Sequence, residues 1–152
     1  MAVCPSSRCG AEGSIAGVTL LAMQEANRTW LFERLKRSLQ LLACTPEIQL
    51  QRFPGFVHVP DELALDFDNF RRACVGNFRA EMTAEQLSCL ESVDQRFSRM
   101  KKHSFTNDAV ASSREWKDVR HLASDALKAF GWPLDEPPES DDSFVLARPN
   151  PE

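Results

Sequence analysis

The chain has 152 residues, 43% of them apolar and 26% charged, which fits one domain with a sizeable hydrophobic core. It contains no Tyr, so a tyrosine nucleophile or proton donor is excluded. The net charge of −4 is unevenly placed: residues 23–132 carry 16 Lys and Arg against 15 Asp and Glu, whereas residues 133–152 carry six acids and one Arg148. The acidity belongs to the tail, and residues 23–132 lack the basic excess of a nucleic-acid binder.

No apolar run approaches the ~20 residues of a membrane-spanning helix. The five cysteines, Cys4, Cys9, Cys44, Cys74 and Cys89, include no CxxC pair. Cys74 and Cys89 fall within apolar helical patterns, where a thiol acts as a small hydrophobe, so a reduced, cytoplasmic protein is expected.

Residues 1–22 hold three of the six glycines and no periodic apolar pattern. They are expected to be a disordered or non-native extension, with Met23 as a plausible start. A signal peptide is a weaker reading, because the apolar stretch at Ile15–Ala22 is short and Arg8 is the sole basic residue before it.

The sequence predicts a first helix over residues 24–43, with Leu31, Leu35, Leu39 and Leu42 on one stripe. Arg28, Arg34, Lys36 and Arg37 lie off that stripe. Thr45-Pro46 opens a short helix over residues 46–52. Phe53-Pro54-Gly55-Phe56 breaks the pattern. A third helix starts at Pro60 or Asp61 and stops near Gly76-Asn77, with Leu63, Phe67, Phe70 and Cys74 inward. Thr83 and Gln86 form a capping box for a fourth helix reaching about Lys102. Ser112 and Glu115 suggest a second box, and Gly131-Trp132-Pro133 a stop for the last helix. Four long amphipathic helices, one or two short ones and disordered ends make an all-α bundle. Residues 133–152 hold five prolines and six acids and are expected to form an exposed tail; Ser143–Ala147 is its only apolar patch.

Candidate chemistry is sparse. Asp61, Glu62, Asp66 and Asp68 gather four acids in eight residues, but fit neither a calcium loop nor a di-iron Glu-x-x-His pattern. They read as a solvated edge. Asp118, His121 and Asp125 read as part of a charged outer face with Arg114 and Lys117, since zinc needs three or four ligands in place. His58 reads as a half-buried, satisfied histidine, and Cys44 as a packed cysteine rather than a helix-end thiolate. Arg96, Arg99, Lys101, Lys102 and His103 are the densest basic run, and the helix dipole accounts for them. Asp94 projects between Leu87 and Leu90 on an apolar face; as a buried structural charge it requires a partner, with Arg71, Arg72 and Arg79 as candidates. No metal, cofactor or catalytic residue is expected.

The run Thr83-x-x-Gln86, Leu90, Val93-Asp94, Phe97, then Trp116-x-x-Val119-Arg120-x-Leu122-Ala123 and Gly131-Trp132 resembles small uncharacterised helical bacterial proteins, some of them like the immunity proteins beside secreted toxins. The resemblance spans residues 47–132 and carries no catalytic residue. It implies a cytoplasmic protein that works by binding. The expected function is a non-enzymatic protein-binding module, immunity- or antitoxin-like, with an unidentified protein partner and no membrane or nucleic acid. Its contact residues would be Asp61, Glu62, Asp66 and Asp68 on one edge and Arg114, Lys117 and His121 on another face, with the tail supplying charge. The alternatives are a carboxylate/His-dependent metal protein or enzyme, and a nucleic-acid-associated regulator using the basic run.

Overall fold

A computed structural model describes the backbone of residues 3–139 and the side chains of residues 19–139. Among these residues there are six α-helices, four of them long, and no strand. They are α1 (Val3–Ala43), α2 (Pro46–Gln51), α3 (Val59–Phe78), α4 (Ala84–Arg99), α5 (Asn107–Ser112) and α6 (Arg114–Phe130). Short 3-10 turns at Arg79–Glu81 and Lys102–Ser104 flank α4. No helix among the described residues is long and apolar enough to cross a membrane.

α1 packs along α3 and α6, α4 packs along α6, and α2 sits against α5. The four-leucine stripe of α1 meets Leu63 and Phe67 of α3 and Val119, Ala123 and Leu127 of α6 in one buried core. α1 begins at Val3 rather than Gln24, a correction to the expected start. Pro5 falls in the first turn, where its missing N–H is harmless, and an interior glycine costs about 1 kcal/mol without ending a helix. Residues 19–27 are exposed on every side, Leu20, Leu21 and Met23 among them.

The caps follow local chemistry. Gln86 N–H donates to Thr83 Oγ1 at 3.0 Å, and Thr83 N–H donates to Gln86 Oε1 at 2.9 Å, completing the predicted box at α4. α3 runs through Gly76-Asn77 to Phe78 instead of stopping there. Asn77 turns its amide back to the Ala73 carbonyl at 2.7 Å, so a residue that favours turns is satisfied within the helix. The cap of α6 is Ser113, which accepts from Trp116 N–H at 3.2 Å. The expected box at Ser112 is displaced by one residue because Ser112 ends α5, a helix the sequence reading did not place. Glu115 accepts instead from the Ser104 hydroxyl. At the far end Gly131 adopts φ 72°, Trp132 N–H reaches the Leu127 carbonyl at 2.9 Å and Gly131 N–H the Lys128 carbonyl at 3.0 Å. Trp132 stacks on Phe130 with centroids 4.3 Å apart. The left-handed residue, paired bonds and apolar contact form a Schellman stop.

The start of the acidic segment packs on the domain. Residues 133–139 run extended across α1 and α2, and Pro137 is buried. Gln40 Nε2 donates to the Pro133 carbonyl at 3.0 Å, and Arg52 Nη2 to the Pro137 carbonyl at 2.7 Å. Arg52 also pairs with Glu136 at 2.9 Å. Of the segment expected as an exposed tail, residues 133–136, 138 and 139 are exposed and Pro137 is buried. An extended strap needs no core of its own when side chains of the helices bind its carbonyls. Ser143–Ala147 lies outside the described residues.

Candidate functional site

The helical spacing of α1 places Arg34, Arg37, Ser38 and Leu41 on one face, at steps of three and four. α3 presents Glu62, Leu63 and Asp66 opposite, and Arg52, Phe53 and Pro54 close one end. The strap residues Pro137, Pro138 and Glu139 form the remaining wall. Together they enclose a groove of about 400 Å³, within the ~300–1,000 Å³ range of ligand-sized pockets.

Arg34 is 8% exposed, although the sequence reading set it off the buried stripe. Its guanidinium lies 5.2 Å from the Phe70 ring centroid and 5.8 Å from that of Trp30. Two aromatic faces can hold a weakly hydrated guanidinium where an ammonium would resist burial. Arg37 is tied to Glu33 at 3.3 Å. Burial pushes the Asp66 carboxyl above its ordinary value, Arg34 opposes that shift, and Glu62 adds to it. Folded Asp66 therefore binds its proton more tightly than the unfolded chain does. Ionisation costs stability as pH rises from the unfolded value through the folded one. Asp66→Asn is expected to raise the melting temperature at pH 7, with the gain shrinking as pH falls to about 3.8. Thermal melts between pH 3 and pH 7 check this; a lower melting temperature for the variant at pH 7 would contradict it.

The four acids of α3 do not converge. Asp61 pairs with His58 Nδ1 at 2.8 Å, Glu62 and Asp66 face the groove, and Asp68 pairs with Arg71 at 2.7 Å and Arg72 at 3.0 Å. No group of three or more His, Cys, Asp or Glu suited to a metal occurs among the described residues. His58 is exposed rather than half-buried, because it occupies the N-cap position of α3 and projects to its Asp61 partner. Asp94 is partnered by Arg71 at 3.3 Å and its side chain is 36% exposed, so it is half-buried. Arg71 thus joins Asp68 of α3 to Asp94 of α4.

Arg114, Lys117 and His121 line one open hollow with Ser113, Asp118 and Ser124, about 970 Å³ in volume. Asp118 is held by Arg96 at 3.0 Å, which takes one arginine out of the basic run. Lys101, Lys102 and His103 are exposed. Burial raises the thiol of Cys44 and takes that of Cys74 up to about 12. Neither is poised as a thiolate.

The sequence reading missed a buried polar junction. Gln49 is fully buried and donates its amide to the Leu41 and Leu42 carbonyls at 3.0 and 2.9 Å. Its Oε1 accepts from Arg120 Nη1 at 3.2 Å, and the same nitrogen donates to the Val110 carbonyl at 3.2 Å. One glutamine and one arginine therefore satisfy the end of α1 and bind α2, α5 and α6 together. A polar residue in a six-residue helix gives no periodic sign of this.

The fold defines an all-α bundle with a strapped groove. No protein-family model matches the chain, and no curated protein or solved structure shows significant similarity to it.

Proposed function

We propose that the chain is a non-enzymatic, cytoplasmic protein-binding module, immunity- or antitoxin-like, and that it grips an extended segment of its partner in the groove between α1, α2 and α3. The observation that carries this reading is the strap. The helices hold residues 133–139 by donating Gln40 and Arg52 to backbone carbonyls, a mode of recognition that works for any extended chain of suitable shape. The groove extends beyond the strap, with apolar Leu41 and Leu63 beside Arg34 and Arg37. Hydrogen bonds to backbone groups beside apolar side-chain pockets are a recurring way of recognising an extended peptide.

The test is capture from native cell extract with the wild-type chain, Arg37→Glu in the groove and Lys117→Glu in the hollow on α6. A partner retained by Lys117→Glu and lost with Arg37→Glu is the expected result, with both variants melting near wild type. Loss with Lys117→Glu alone would move the contact to the Arg114/Lys117/His121 face. Recovery of a metal or small molecule and no protein would overturn the reading.

A further inference from the structure

The buried stripe of α6 is Trp116, Val119 and Ala123. Its outer face carries Arg114, Lys117 and His121, all exposed and spaced at steps of three and four. At about 1.5 Å of rise per residue they form a ladder roughly 10 Å long. Among the described residues none of these three side chains makes a hydrogen bond or ion pair. The acids beside them are engaged elsewhere. Asp118, the carboxylate that lines the hollow, pairs with Arg96 at 3.0 Å, and Glu115 accepts from Ser104.

Arg120 is a separate sign at the same place. It lines the hollow and is half-buried, yet its Nη1 donates to two neutral oxygens, Gln49 Oε1 and the Val110 carbonyl. Burial pushes its guanidinium below the ordinary arginine value, and Glu47 opposes that shift without reaching it as an ion pair. A half-buried cation held by neutral acceptors leaves its charge uncompensated. Two hydroxyls complete the lining: Ser113 accepts from Trp116 N–H and keeps its own proton to donate, and Ser124 stands one turn beyond His121.

We infer that this hollow binds an oligophosphate, a small anion of two or more linked phosphate groups. Arg114 and Lys117 neutralise its charges, Ser113, His121 and Ser124 donate to its oxygens, and Arg120 keeps the inner wall positive. A single phosphate is too short for a ladder of this length, whereas linked phosphates offer several acceptor oxygens along it. The small ligand is favoured over a nucleic acid because residues 23–132 have no basic excess outside this face and the Arg96–His103 run. The inference does not rest on the groove, with which the hollow shares no lining residue.

The test is calorimetric titration of inorganic tripolyphosphate into the full chain at physiological ionic strength. Two double variants are compared: Arg114→Gln with Lys117→Gln in the hollow, and Lys101→Gln with Lys102→Gln on the exposed basic run. All four positions are exposed, so both variants should melt near wild type. The expected result is saturable one-to-one binding, weakened at least about tenfold by the first pair and unchanged by the second. Citrate and orthophosphate should bind more weakly than tripolyphosphate. No binding, or equal weakening by both pairs, would overturn the inference. Citrate binding as tightly as tripolyphosphate would overturn the choice of phosphate. A single-stranded RNA oligomer that binds more tightly, with the same loss in the first variant, would replace the small ligand by a nucleic acid.

Discussion

Trp116→Ala is expected to be among the most destabilising single changes in the chain, costing about 3–5 kcal/mol, the usual loss for a buried Trp. Trp116 is 0% exposed. Its ring meets Phe97 edge-on at 5.5 Å and Phe105 at 6.3 Å, and Phe97 continues the contact to Phe67 of α3 at 6.2 Å. The indole Nε1 donates to the Ser104 carbonyl at 2.8 Å. Truncation therefore opens a cavity where α4 and α6 meet and leaves a buried acceptor without its donor. Trp116→Phe keeps much of the ring contact and loses the hydrogen bond, so it should cost less, about 1–3 kcal/mol. Urea unfolding of both variants measures this. A Trp116→Ala midpoint near wild type would mean the ring is outside the core.

Gln49→Ala is expected to cost about 2–3 kcal/mol, because two buried carbonyls and a guanidinium lose a partner at once. Gln49→Glu separates the roles of the amide. The carboxylate can still accept from Arg120, but it has no N–H for Leu41 and Leu42, and its charge faces their carbonyl oxygens. Gln49→Glu should therefore remain well below wild type in spite of its cationic neighbour. If it matched wild type, Arg120 alone would account for the junction and the bonds to the end of α1 would be of little consequence.

Long periodic elements were legible in the sequence. Leu31, Leu35, Leu39 and Leu42 are all buried, and the Thr83/Gln86 box and Gly131 stop occur where their residues stand. Short elements were harder to read. α5 has one turn and a half, too few positions for an apolar period, though Thr106 caps it by accepting from Ala109 N–H at 3.0 Å and could have announced it. The groove was largely illegible because its members act across elements. Arg34 looks like a surface cation until α3 brings Phe70 beneath it. The strap has no side-chain period because two backbone carbonyls, the Glu136 carboxylate and the Pro137 ring share its contacts. Of the residues expected to meet a partner, Glu62 and Asp66 line the groove and Arg114, Lys117 and His121 share a hollow, whereas Asp61 and Asp68 are engaged in ion pairs elsewhere.

We propose that an extended polypeptide binds between α1 and α3. A calorimetric titration of the captured partner into the wild-type chain and Arg37→Glu tests it most directly. Binding is expected to be at least about tenfold weaker in the variant, a difference of ~1.4 kcal/mol, with the melting temperature nearly unchanged. Equal affinity for the two proteins would contradict it.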